Sequence, residues 1–300
     1  MPEWTAEVEV DAALARRLIG QFPDVPADSL RLLGDGWDRT VWAVDERWAF
    51  GFPRRRVAVP GIEREMALLG ALAPRLPLPI PQPAFLGRPT EDFPWPFFGA
   101  PLLPGREACD AGLDDAGRLA VALTVAGFLR RLHGLELDGA DLPFDANGRA
   151  DMARRVPMTR DALADVERLG LWRAPPAVAG LLEEAERLPP VGPSAAVVVH
   201  GDLHFRHLLV HEGRAAGVID WVDLGRADAG IDLQLVWSFV PPDGRREWLD
   251  AYGPVTEESL LRARVLALNL CAILARYGHV VGLESVEREA LGGLNRAVTG

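Results

Sequence analysis

The sequence predicts an α+β protein with a small β-rich N-terminal region and a larger helical C-terminal region. Three observations carry that prediction. Short alternating apolar segments separated by turn residues fill the first hundred positions. Helical periodicity dominates after Pro104-Gly105. One β-patterned island, residues 195–220, interrupts the helices.

A helix opens the chain over residues 11–21. Segments 40–44 and 47–52 flank Asp45-Glu46 and pair as an antiparallel hairpin. A helix follows over 61–72, where Ile62, Met66, Leu69 and Leu72 fall on one face. The proline-rich stretch 74–83 ends it, 84–87 is a further strand, and 97–103 runs into a hinge at Pro104-Gly105. The expected domains are therefore 1–104 and 105–300. Beyond the hinge, helices are expected over 119–135, 161–169, 177–188, 259–277 and 285–297. Within the island, 195–199 is a buried strand, and 207–210 and 216–220 form a second hairpin around Glu212-Gly213-Arg214. No internal repeat or low-complexity tract is present in the sequence.

Composition narrows the class. The 300 residues contain no run of eighteen apolar positions, so no membrane-spanning helix is expected. The opening MPEWTAEVEV lacks a basic patch followed by an apolar stretch, and two cysteines make no disulfide framework. A cytoplasmic setting is the expectation. The net charge of −11 disfavours a nucleic-acid surface and is consistent with a cationic small-molecule substrate. All 32 basic residues are arginine, which excludes any mechanism that needs a catalytic lysine.

The chemistry concentrates in the island, VVVHGDLHFRHLLVHEGRAAGVIDW, where an apolar strand delivers His200-Gly201-Asp202 into a loop and a hairpin later returns Asp220. Two carboxylates at strand ends suit metal coordination or acid–base work. This segment resembles the catalytic loop and metal-binding Asp of the aminoglycoside phosphotransferase family, relatives of protein kinases. His200-Gly201-Asp202 match the loop, Leu203 and His204 are common there, and Ile219-Asp220-Trp221 stands at the metal-binding Asp. Asp228 and Asp232 match a motif that follows it, and residues 128–134 look like the end of the long helix preceding the loop.

The resemblance implies a protein-kinase-like two-lobe fold and transfer of the γ-phosphoryl of ATP or GTP to a substrate hydroxyl. Asp202 would be the catalytic base and Asp220 a metal ligand. Gly34 and Gly36, in Gly34-Asp35-Gly36-Trp37-Asp38, would cover the phosphates. Glu65 would be the helix glutamate that positions a phosphate-binding base, and Leu103 would belong to the hinge where the nucleobase docks. The implied partners are the nucleotide with Mg²⁺ or Mn²⁺ and a small hydroxylated, cationic acceptor. Neither nucleic acid nor membrane is implied, and antibiotic resistance follows only by analogy. Trp221, Trp237 and Trp248 are read as core ahead of pocket lining.

Two positions depart from the family pattern. Gly51 stands where the third strand should present Lys or Arg to the phosphates. A lost charge-assisted contact is worth about 1.5–3 kcal/mol, roughly 10- to 150-fold in rate. Arg39, Arg54, Arg55 and Arg56 are the candidates to replace it. His207 stands where the metal-binding Asn should be, and imidazole suits manganese, zinc or iron better than magnesium. It is a softer second metal ligand, a hydrogen-bond donor to phosphate, or idle. Two alternatives therefore stay open. One is a catalytically impaired protein of the same fold that binds nucleotide or ligand. The other is a metal hydrolase built on His200, His204, His207 and His211 with Asp202 and Asp220.

Overall fold

The Asp11 side chain accepts the Leu14 amide hydrogen at 2.7 Å and so starts α1 (Ala12–Ile19), which turns Leu14, Leu18 and Ile19 inward. The computed structural model describes residues 6–137 and 139–299, so half of the ten-residue stretch read for an N-terminal signal, residues 1–5, lies outside the described residues. The chain divides into two compact units. One ends at Pro104 and takes in Ile219–Val222; the other comprises Gly105–Val218 and resumes at Asp223. The folding pattern is the α+β, protein-kinase-like two-lobe class, with a β-rich N-terminal lobe and a larger helical C-terminal lobe.

The first unit is built on an antiparallel sheet in the order β1-β2-β3-β5-β4. Its strands are β1 (Leu30–Asp35), β2 (Arg39–Val44), β3 (Trp48–Pro53), β4 (Phe85–Gly87) and β5 (Phe97–Pro101). The β2–β3 turn places Asp45 and Glu46 at φ 52° and 48°, left-handed values whose twist matches the flanking strands. Alternation then sorts the side chains onto two faces. Phe50, Phe52 and Phe97 join Leu18 and Ile19 of α1 in one core. On the other face Phe98 and Ala100 pack with Ile62 of α2 (Val59–Leu72). Burying both faces makes this small sheet stable despite its short strands.

The phosphate-loop expectation needs a correction here. Gly34 and Asp35 are not in the loop but in β1, paired with Val41 and Thr40 beyond a register shift that follows Leu32. Asp35 extends the ladder because its carboxylate accepts the Thr40 hydroxyl at 2.7 Å and pairs with Arg54 at 2.9 Å. The connection therefore shrinks to Gly36-Trp37-Asp38. A Cβ at Gly34 would meet nothing within 4 Å, so the fold itself does not demand glycine there.

The second unit centres on α9 (Glu257–Val281), a helix that longer-range packing extends beyond the expected 259–277 at both ends. In chain order the unit contains β6 (Arg106–Glu107), α3 (Asp115–His133), α4 (Met152–Arg168), α5 (Ala177–Glu186), β7 (Val197–Val199), β8 (Leu208–His211), β9 (Arg214–Val218) and β10 (Gly225–Ala227). Then come α6 (Gly230–Leu233), α7 (Leu235–Ser238), α8 (Arg245–Tyr252), α9 and α10 (Glu284–Val298). Helices α4, α5, α6, α7 and α10 pack on α9, while α3 packs on α8, β7 and β9. Two small sheets, β6-β8-β9 and β10-β7, flank the loop that holds His200, Gly201 and Asp202.

Four further helices differ from the sequence reading. Helix α4 begins nine residues before the expected 161, because Asp151 caps it at Ala153 and its inner face buries Val156, Thr159, Leu163 and Val166. That packing tolerates Pro157 inside the helix, where the missing N–H and ring clash argue locally for a stop. The short helices α6, α7 and α8 carry no periodic signal long enough to read. No described helix is long and apolar enough to cross a membrane.

Candidate active site

His200, Gly201 and Asp202 lie in the second unit, after β7. Gly201 has φ +93°, and a Cβ there would come within 2.3 Å of the Asp223 carbonyl oxygen, so only glycine lets the loop turn this close. The loop backbone is held by a buried carboxylate. Asp232 accepts the His200 amide at 2.8 Å on Oδ2 and the Gly201 amide at 3.0 Å on Oδ1. His133, the last residue of α3, places Nε2 3.0 Å from Asp232 Oδ2 and Nδ1 2.8 Å from the Tyr252 hydroxyl. Burial opposes ionisation of Asp232, but the His133 ring and these hydrogen bonds overcome it and hold the carboxyl below its usual range.

Asp202 emerges from this support partly exposed. Its amide donates to His200 Nδ1 at 3.2 Å, which assigns His200 a loop-bracing role. One carboxylate oxygen pairs with Arg149 Nη2 at 3.2 Å. The other lies 3.7 Å from both His204 Nε2 and His207 Nδ1. Arg149 also donates to the Gly201 carbonyl and pairs with Asp223 at 2.8 Å, while Asn147 donates to Asp223 at 2.9 Å. Burial disfavours the Arg149 charge, and Asp202 and Asp223 more than restore it. Arg149 was not legible in the sequence: it sits in the loop before α4, with no spacing that ties it to Asp202.

The histidines separate. Asp202, His204 and His207 offer donor atoms within 4.8 Å of one another. Burial first, and then His207 close by, push the His204 imidazolium well below its usual range, so its ring is neutral at pH 7. His207 Nδ1 lies 2.8 Å from the Asp202 carbonyl oxygen and must donate to it, so in the neutral ring Nε2 is the ligating or accepting atom. Neither His200 nor His211 joins this group, so among the described residues the structure does not assemble the four-histidine cluster weighed above. Burial also pushes the Cys271 thiol to about 12 and raises that of Cys109, which removes both as nucleophiles at neutral pH.

The first unit holds a second constellation. Glu65 is three residues after Ile62 and four before Leu69, on the buried stripe of α2, and its exposure is 0%. One of its oxygens accepts the Trp221 amide at 2.8 Å; the other pairs with Arg39 from the start of β2. Arg39 lies 3.9 Å from Asp220, itself at φ +65° just beyond β9, a value that Asp tolerates better than most residues. Burial alone lowers the Arg39 charge affinity, but Glu65 and then Asp220 raise it above the usual value. Of the other candidate arginines, Arg54 pairs with Asp35, Arg55 with Asp38, and Arg56 is exposed. Leu103 sits half-buried beside Leu102, whose amide donates to the Arg47 carbonyl at 2.9 Å. Trp221 and Trp248 are core, whereas the Trp237 ring meets the guanidinium groups of Arg245 and Arg264, 4.4 and 4.7 Å from its centroid.

A two-lobe kinase-like fold that carries His200-Gly201-Asp202 on a loop and Glu65 on a buried helix face defines the structural class. The model of the phosphotransferase enzyme family matches residues 29–266, and the chain belongs to that family. It is 30% identical over 177 residues to an aminoglycoside 3'-phosphotransferase of Escherichia coli, covering 58% of this chain and 62% of that protein. The chain thus spans about three-fifths of that curated relative's length. Among solved structures it resembles the GDP and kanamycin complex of APH(2")-IIia, with TM-score 0.70, 19% identity and coverage of 96% and 98% of the two chains. It also resembles the macrolide 2'-phosphotransferase MphH from Brachybacterium faecium, with TM-score 0.62, 21% identity and coverage of 95% and 98%.

Proposed function

We propose that the protein transfers the γ-phosphoryl group of ATP or GTP to a hydroxyl of a small molecule. The observation that carries this reading is the Asp202 carboxylate. It is held by Arg149 on one oxygen, on a loop that Asp232 fixes through two backbone amides. Phosphoryl transfer asks little covalent chemistry of a protein and much positioning, and a braced carboxylate that orients a hydroxyl and takes its proton supplies that. His204, neutral, lies beside the other oxygen without adding charge that would compete for the same proton.

Asp220 offers the hard carboxylate oxygen that a nucleotide-bound Mg²⁺ accepts, and His207 offers a nitrogen that suits Mn²⁺ better. Such an ion would neutralise phosphate charge during transfer. Gly36 and Leu103 are assigned to the phosphate and nucleobase ends of the nucleotide site, and Gly34, now in β1, to its border. Solved neighbours captured with GDP and kanamycin support a nucleotide and a hydroxylated, cationic acceptor, and the acidic charge of this chain agrees with that class. A second reading, binding without transfer, is favoured by Gly51 and His207.

The test incubates purified protein with ATP or GTP, Mg²⁺ or Mn²⁺, and a panel of aminoglycosides and macrolides, and reads phosphorylated product by mass. Product that disappears with Asp202→Ala supports transfer. Nucleotide binding without any product across the panel favours the second reading, and absence of nucleotide binding removes both.

A further inference from the structure

A kinase-like nucleotide site needs a cation on β3, paired with the helix glutamate, to meet the phosphates. This chain has glycine at that place, no lysine anywhere, and yet a fully buried helix glutamate. The sheet register shows what occupies the space. Val41 of β2, Gly51 of β3 and Phe98 of β5 lie in one cross-strand row. Arg39 is two residues before Val41, so it shares that face, the face that α2 covers. Its side chain crosses Gly51: a Cβ added there would stand 3.1 Å from Arg39 Cδ and 3.5 Å from Nη1. The guanidinium then reaches over the Phe98 ring, 5.6 Å from its centroid, and pairs with Glu65.

We propose that Arg39 is the phosphate-contacting cation of the nucleotide site, supplied from β2 across Gly51 in place of a lysine on β3. This rests on the phosphotransferase reading. The two departures in sequence, a glycine and a strand-opening arginine, become one exchange. Removing the β3 side chain opens a channel, and arginine is long enough to send its charge through it from the neighbouring strand. Glu65 is fixed in turn by the Trp221 amide, so the pair is aimed rather than free to swing. The Arg39 Nε–H finds no acceptor among the described residues, so the placement is held despite an unsatisfied buried donor. Guanidinium also has five donors, so pairing with Glu65 leaves others for phosphate oxygens.

The experiment measures, by calorimetry, the affinity of ATP and GTP with Mg²⁺, and of adenosine and guanosine alone, for the wild type and three variants. Arg39→Ala is expected to weaken the triphosphate by about 10- to 150-fold and to leave the nucleoside unchanged. Arg39→Ala/Gly51→Lys is expected to recover most of the loss, because the three atoms nearest to a Cβ at position 51 all belong to the Arg39 side chain. Gly51→Lys alone is expected to bind triphosphate worse than the double variant. If Arg39→Ala does not fold, the double variant, which returns a cation to Glu65, gives the reading. A folded double variant that binds nucleoside but not triphosphate overturns the proposal. So does an Arg39→Ala protein that keeps wild-type triphosphate affinity, or one that loses nucleoside and triphosphate in equal proportion. In each of those cases wild-type nucleotide binding leaves the phosphotransferase reading standing; a wild type that binds no nucleotide removes both.

Discussion

The two constellations hold their functional carboxylates by different physics. In the second unit, Asp232 grips the loop through backbone amides, so the geometry at Asp202 depends on main-chain hydrogen bonds that many side chains could accompany. In the first unit, Glu65 also accepts the Trp221 amide, but the buried Arg39 meets it, and the half-exposed Asp220, through side-chain charge. A backbone-held site tolerates changes among its neighbours but not at the gripping residue. A charge-held site can exchange the strand that supplies the charge, provided that the replacement reaches the same partner. His200, Gly201 and Asp202 match the family's loop, while the departures fall at Gly51 in the first unit and at His207 in the second.

The sharpest way to break the comparison is at Asp202. Asp202→Ala is expected to lower transfer by about 10²–10⁴-fold, the span of a lost general base, with nucleotide affinity unchanged. Steady-state rates with calorimetric nucleotide titration check it, and intact turnover would unseat the assignment. Next comes the grip itself. Asp232→Ala strips the carboxylate from two backbone amides and His133, and a stability loss of about 3–5 kcal/mol is expected in urea unfolding. Its pH dependence has a definite sign. The folded carboxyl of Asp232 lies below its unfolded value, so the stability it contributes is present above the ordinary carboxylate range. That stability is lost as pH falls through the lower folded value. The acid limb should therefore steepen by up to about 1.4 kcal/mol per pH unit in the wild type and flatten in Asp232→Asn.

Much of this was readable because the loop is local in sequence. His200, Gly201 and Asp202 are consecutive, and the strand before them has the continuous apolar pattern of a buried strand. The β2–β3 hairpin and the buried stripe of α2 were readable for the same reason, since each is set by spacing of a few residues. What the pattern does not hold is contact between distant segments. Arg149 reaches Asp202 from 53 positions away, and His133 reaches Asp232 from 99. Gly34 was placed one element too late because a register shift in β1 is a property of the pairing, not of the glycine. Arg39 was one of four candidates, and only its cross-strand neighbours separated it from the other three.

On the charge-held side, Asp220 tests whether side-chain charge alone maintains the site. The substitution to use is Asp220→Asn, because asparagine accepts the left-handed backbone at φ +65° that would strain alanine. With Mg²⁺ present, nucleotide affinity is expected to fall by about 10- to 150-fold, while metal-free affinity stays near that of the wild type. Equal affinities with metal would mean that Asp220 serves only to steady Arg39.

The smallest expected effect concerns His207, which belongs to the backbone-held loop yet departs from the family. Its Nδ1–H bonds to the Asp202 carbonyl, a contact that an asparagine amide can also make, so His207→Asn need not disturb the loop. What changes is the second donor, from an imidazole nitrogen to an amide oxygen. Nitrogen favours manganese over magnesium, and oxygen removes that preference. The wild type should therefore turn over faster with Mn²⁺ than with Mg²⁺, and His207→Asn should shift the ratio toward Mg²⁺ while unfolding at the same urea concentration. A ratio that does not move would make the histidine a loop brace like His200, and would leave the nucleotide's metal to carboxylate, water and phosphate oxygens alone.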